Sequence, residues 1–211
     1  MIDVTSIPYR QVCTYKDNNI SPLVYPSIIK RIGDYYHQAY VLVEINDNGQ
    51  QIVDSLFEDY EYENILSTVE IKGKIALTWG YGNKSYRGVR TTKSVKRLGC
   101  SLMKGLIEGQ KILIQDFETI SELSTFIAKG GSFEAEEGSH DDLVMTLVLF
   151  SWMTNQSFFS ELTNIDIKAK LHQEQMKQIE EEQLPTFLGG HIDVDNNDGA
   201  FIEDGALWKP V

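Results

Sequence analysis

The segment Asp141–Trp152 (DDLVMTLVLFSW) constrains the fold more than any other, because past its two leading aspartates it is apolar on nearly every side. A helix without a polar stripe has to be enclosed by other elements of its domain. Tyr40–Ile45 (YVLVEI) makes a similar demand. It is a nearly unbroken β-branched and apolar run, the pattern of a central strand covered on both faces.

The remaining punctuation alternates strands with helices. Met1–Val4 and Tyr9–Tyr15 read as a hairpin, and a helix opens at Pro22 and runs through Ile28, Ile29, Ile32 and Tyr36, with Pro26 confined to its first turns. Gln50–Phe57 has helical spacing, and Ile65–Val69 reads as a strand. Gly73–Arg90 is rich in glycine and aromatics and predicts a loop or hairpin. Ser94 is placed as the N-cap of a helix through Leu98, Leu102 and Leu106. Strand Lys111–Gln115, helix Thr119–Ala128 and strand Ser132–Ala135 follow. This order predicts an α/β layered domain over residues 1–159. Residues 160–211 change character: a polar helix to about Gln183 leads into an acidic Gly-, Asn- and Asp-rich tail, expected to be an exposed appendage.

The formal charge of −12 argues at first against a nucleic-acid partner, since phosphate affinity comes from Lys and Arg. Its distribution reverses that argument. Between Ile71 and Ile107 lie Lys72, Lys74, Lys84, Arg87, Arg90, Lys93, Lys96, Arg97 and Lys104, with no Asp or Glu among them. A positive stretch on an otherwise acidic chain makes a local field for an anion, and predicts a polyanion surface rather than a merely solvated loop.

Several classes are excluded. No apolar run approaches the roughly 18 residues of a membrane span. The start, MIDVTSIPYRQ, lacks the order of a signal peptide, so the chain is expected to be soluble and not exported. Cys13 and Cys100 lack metal-ligand spacing and read as reduced thiols. The P-loop, the G-x-S-x-G elbow and H-E-x-x-H are all absent.

Three acids remain as chemistry. Glu44 sits inside an apolar strand near its C-terminal end, where open α/β sheets gather ligands; alternatively it reaches solvent from the strand end. Asp141 and Asp142 lead the buried helix, where one is explained as an N-cap or first-turn acid and the pair is not. Carboxylates gathered at one sheet edge repel unless a divalent cation joins them, and oxygen donors favour magnesium or manganese. A cation site facing a basic surface suits two-metal phosphodiester hydrolysis. His140 either orients a carboxylate or phosphate, or stands at the surface beside the helix cap.

The stretches VLVEINDNG (Val41–Gly49), RTTKSVKRLGCSLMKGLIE (Arg90–Glu108) and FEAEEGSHDDLVMTLVLF (Phe133–Phe150) resemble, in that order, the nuclease domain of large terminases from tailed bacteriophages. The resemblance spans roughly Met1 to Phe159 and is most specific at G-x-H-D-D-L-V-M. It implies an RNase H-like mixed β-sheet flanked by helices, with a basic loop or hairpin, and three acids holding two magnesium or manganese ions. It also implies cutting of concatemeric double-stranded DNA at the start and end of genome packaging. By this likeness Glu44 matches the second acid and Asp142 the third, with Asp141 the alternative, while Lys84, Arg87, Arg90, Lys93, Lys96 and Arg97 would grip phosphates. The implied setting is the infected cell's cytoplasm and, transiently, the procapsid portal, with the ATPase domain, portal and small terminase subunit as partners.

One departure shapes these expectations. The family's first acid lies on a strand before the one that Ile2-Asp3-Val4 resembles, so Asp3 does not replace it. The chain is therefore expected to be the downstream piece of a split terminase gene, or a fragment, that cleaves poorly without an upstream strand and lacks the ATPase motor. The competing expectation is a non-catalytic module of the same fold that holds DNA or docks on a packaging machine. A junction resolvase fits the HDD block less well.

Overall fold

The computed structural model describes residues 1–80 and 85–164, and the backbone of 201–203 and 206–208. The chain divides into two compact units, Met1–Lys168 and Ala169–Val211.

In the first unit, β1 (Ile2–Asp3) and β2 (Tyr9–Gln11) form the expected hairpin, with Ile2 opposite Gln11. β2 also runs parallel to β6 (Ile112–Leu113), giving the order β1-β2-β6. Helix α1 (Tyr25–Tyr35) carries Pro26 in its first turn, where the missing amide costs nothing. It starts three residues later than Pro22. Helix α2 (Gly49–Glu58) follows the Asn46–Gly49 turn as its spacing predicts.

Tyr40–Ile45 is extended, but it does not become a strand paired on both sides. Val41 bridges Ile65 and Glu44 bridges Val89, both parallel. The hydrogen bonds come from alternate residues: Val41 N to Asn64 O (2.9 Å), Leu66 N to Val41 O (2.9 Å), Val89 N to Val43 O (2.8 Å) and Ile45 N to Val89 O (2.9 Å). Backbone groups of an extended chain alternate in direction, so all four bonds lie along one edge. Among the described residues, no backbone hydrogen bond reaches Leu42 or Glu44 on the opposite edge.

β3 (Ser67–Ile71) and β4 (Lys74–Thr78) form a hairpin around Lys72 and Gly73, whose positive φ values of 50° and 75° suit a tight two-residue turn. β5 (Ser85–Arg87) pairs with the other edge of β3, giving β4-β3-β5. Residues 74–78 and 85–87 of the basic, aromatic-rich stretch are thus strand.

Helix α3 (Lys93–Glu108) is capped by Thr92, whose Oγ1 accepts from Val95 N at 3.3 Å, and not by Ser94. Its buried face is Val95, Gly99, Cys100 and Met103, while Leu98 stands exposed. Small residues let α3 approach α5 (Asp142–Thr154) so closely that a Cβ on Gly99 would lie 2.5 Å from Val148 O. Burial also pushes the Cys100 thiol up, which suits a packing role for this free cysteine.

Helix α5 is enclosed as its composition requires. One side packs Leu149 and Trp152 with Leu66, Leu77, Val89 and Val95; another packs Val144, Leu147 and Val148 with Cys100 and Met103. Residues 157–164 are helical and add Phe158 and Leu162 to the first cluster. Helix α4 (Phe117–Ser124) is capped by Asp116 and ends four residues before the expected Ala128. Phe126–Lys129 instead pairs as β7 with β8 (Ser132–Ala135), because the Gly130-Gly131 turn brings two residue runs edge to edge. The result is a mixed α/β domain with several small sheets, in the α/β class that the sequence predicts. In the second unit, β9 (Phe201–Glu203) pairs antiparallel with β10 (Ala206–Trp208), within the stretch expected to be an exposed acidic tail. The polar helix expected to Gln183 lies mainly outside the described residues.

Candidate functional site

The buried body of α5 fixes where its first turn emerges. Gly138, at φ +85°, turns the chain from β8 toward Ser139, His140 and the two aspartates. Asp141 occupies the N-cap position yet makes no capping hydrogen bond with its side chain. Asp142 opens the helix with its side chain 66% exposed. Of the two explanations that the sequence allows for one of them, the N-cap bond is not made, while Asp142 does stand as a first-turn acid.

The cap comes from α4. Glu122, only 7% exposed, directs Oε2 at two amides of the first turn of α5, Leu143 N at 2.7 Å and Val144 N at 3.2 Å. Its Oε1 meets Lys16 Nζ at 2.5 Å. That hydrogen bond, opposed in part by desolvation, holds the Lys16 ammonium above its ordinary range. Lys16 Nζ also lies 3.9 Å from Asp142 Oδ2, and Lys96 Nζ lies 3.6 Å from Asp141 Oδ2. Sequence reasoning missed both Glu122 and Lys16. Glu122 had only its spacing of three from Thr119 to mark it as inward-facing, and Lys16 carried no signal.

Two clefts meet at this helix end. One, of about 590 Å³, is lined by Lys16, Glu118, Glu122, Ser139 and His140 among others. The other, of about 270 Å³, is lined by Tyr15, Tyr25, Asp142 and Thr146 and shares Lys16 with the first. The exposed His140 thus borders the larger cleft.

Glu44 lies where the Val41–Ile45 segment runs into α2. Its carbonyl oxygen packs against Gly49, where no side chain fits. Its Oε1 accepts from Asn46 Nδ2 at 3.1 Å, and the same amide reaches Thr91 O at 3.4 Å. Glu44 is thereby tied to the residue before the Thr92 cap, and Asp141 to Lys96, one turn further on or about 6 Å along α3. Both acids attach to the start of one helix. Among the described residues no hydrogen bond joins Glu44 to either aspartate, and no three or more His, Cys, Asp or Glu stand close enough together to hold a metal ion.

The basic residues fall into distinct settings. Arg87 places its guanidinium 3.5 Å from the centroid of Phe57, and Arg90 lies 5.6 Å from that of Tyr86. Lys93 and Arg97 are exposed on the first turns of α3. Lys96 is half-buried between Asp141 and the Phe126 ring. Lys84 lies outside the described residues. Arg90 follows Val89, the backbone partner of Glu44, so the positive strip begins beside that acid. Among the described residues no helix is long and apolar enough to cross a membrane.

Residues 1–153 match the family model described as the terminase RNaseH-like domain. That span holds β1 through most of α5, including Glu44, Glu122, Asp141, Asp142 and the basic strip, and the chain belongs to the terminase RNase H-like domain family.

Proposed function

We propose that this chain is a DNA-cutting domain of a genome-packaging terminase, hydrolysing double-stranded DNA with magnesium or manganese at the start and end of packaging. Within the family, the observation that carries this reading is the start of α5. Neither Asp141 nor Asp142 caps its helix through a side-chain hydrogen bond, and Asp142 lines a cleft, on a domain where Arg87, Arg90, Lys93, Lys96 and Arg97 run from β5 to the start of α3. Glu44 and Asp142 are the proposed catalytic acids, with Asp141 adjacent. Arg87, Arg90, Lys93 and Arg97, together with Lys84 and Lys96, are the proposed phosphate contacts, positioning DNA without reading its sequence.

The remaining cation donors are proposed to come from a further strand. One edge supports this: among the described residues, no backbone hydrogen bond reaches the Leu42 and Glu44 side of the extended segment. Such an edge accepts an added strand through backbone pairing. The proposed partners are accordingly an upstream terminase segment with its ATPase, the portal and the small subunit, in the infected cell's cytoplasm and transiently at the procapsid.

Plasmid nicking in magnesium or manganese tests the reading. Slow nicking by the chain alone is expected, abolished by chelator, accelerated by an added upstream segment, and reduced about 100-fold or more by Glu44→Ala or Asp142→Asn. Because the Asp142 side chain is exposed and its ion pair loose, Asp142→Asn is expected to change stability by less than about 0.5 kcal/mol. Full-rate nicking by the isolated chain, or by either variant, contradicts the reading. The second reading, a non-catalytic module that holds DNA or docks on the packaging machine, draws on the lack of a three-donor group among the described residues. It predicts DNA binding without nicking in every variant.

A further inference from the structure

We propose that Glu122 and Lys16 are positioning residues for the Asp141–Asp142 pair, acting through an exchange of caps. This rests on the DNA-cutting reading. An aspartate at an N-cap ordinarily turns its carboxylate back onto the amides two and three residues ahead. Here those amides belong to Leu143 and Val144, and both are taken by Glu122 Oε2. With its own helix end already satisfied, Asp141 is free to face Lys96, and Asp142 lies against Lys16 at the cleft.

The arrangement is an expensive way to end a helix. An aspartate is already in place to do it, whereas a buried carboxylate needs full compensation before it is tolerated. Glu122 obtains that compensation from two amides, the positive end of α5 and the Lys16 ammonium. Lys16 then couples the buried clamp to the exposed acid, since the same ammonium touches both carboxylates. What the clamp achieves is orientation: it fixes the first turn of α5 from outside while leaving the oxygens of both aspartates outside the helix's own hydrogen bonding.

A double-mutant cycle on the full chain tests this, with Glu122→Ala, Asp141→Ala and the pair compared by thermal unfolding. Asp141→Ala alone is expected to move the midpoint by less than about 1 °C, since no capping bond is lost. In the Glu122→Ala background Asp141 falls back to the cap, and its removal then lowers the midpoint by roughly 2–4 °C. The nicking rate at saturating DNA should fall about 10- to 100-fold in Glu122→Ala with DNA affinity unchanged. Glu122→Gln keeps an acceptor for the amides but not the Lys16 pair and should recover part of the rate, so a simple folding defect cannot imitate the result. Equal Asp141→Ala effects in both backgrounds overturn the proposal, as does unaltered nicking in Glu122→Ala. An unmutated chain that nicks no DNA sinks the DNA-cutting reading instead, and a non-additive cycle would still mark the cap exchange, so the two failures read differently.

Discussion

Tyr62 displays at one residue how burial turns a polar atom into a structural fixture. Its ring is 1% exposed, its hydroxyl donates to Ala39 O at 2.5 Å, and it covers Gly33 of α1 so closely that no side chain fits there. Burial, aided by the charge of Asp34, pushes the phenol up to about 12 from the ordinary 10.0. The folded state therefore holds this proton more tightly than the unfolded chain does. The stabilisation is complete below pH 10 and is lost as the pH rises toward about 12. Unfolding midpoints followed between those limits should fall steeply in the unmutated protein and less steeply in Tyr62→Phe. At neutral pH the same variant should be less stable by about 1 kcal/mol, because Ala39 O loses its donor. An equally steep alkaline fall in Tyr62→Phe would show that other groups set the limit. At the same scale, Glu44 and the two aspartates were singled out by the sequence as candidates, since an acid inside an apolar run or doubled before a buried helix is costly without a use. Glu122 was not: a carboxylate on a mixed helix looks solvated until its distant partners Lys16, Leu143 and Val144 are known.

At the scale of elements, the contact between α3 and α5 is set by what is missing from it. Gly99 has no side chain, and a Cβ there would meet Val148 backbone oxygen and side chain at 2.5 and 2.7 Å. Gly105 lies on the same helix with nothing within 4 Å of the corresponding position. Gly99→Ala should cost about 1–3 kcal/mol by overpacking, while Gly105→Ala should gain about 0.5–1 kcal/mol by improving helix propensity. Denaturant unfolding of the two variants reads both signs. A stabilised Gly99→Ala would mean that the two helices do not touch as described. The sequence reading ran this helix through Leu98, Leu102 and Leu106, and close packing buries Val95, Gly99, Cys100 and Met103. The enclosure of α5 was fully legible because its composition leaves no alternative. The Tyr40–Ile45 run was legible as extended chain, but local pattern does not say how many of its edges find partners. The end of α4 was missed for a related reason, since Phe126 and Ile127 satisfy helical spacing and pair as a strand only when Gly130 and Gly131 turn the chain back.

Across the whole molecule, the separation of charge decides how DNA would be met. The chain carries −12 overall, so at low ionic strength most of its surface repels a polyanion and the basic strip has to supply the attraction. The settings of the individual cations make them unequal. Lys93 and Arg97 are exposed at the start of α3, whereas Lys96 lies between Asp141 and Phe126 and already has a carboxylate to neutralise. Counting basic residues along the sequence cannot make this distinction, because positions 93, 96 and 97 differ only in which side of the helix they occupy. DNA affinity measured without divalent cations should fall linearly on a log–log plot against salt, with a slope near −0.9 per phosphate neutralised. Lys93→Ala and Arg97→Ala should each reduce that slope by about 1 and weaken binding alike for unrelated sequences. Lys96→Ala should reduce the slope by less than either, since its ammonium already shares its charge with Asp141. If Lys96→Ala instead lowers the slope as much as its neighbours do, the Lys96–Asp141 pair opens when DNA arrives, and the acid is then uncovered by the substrate itself.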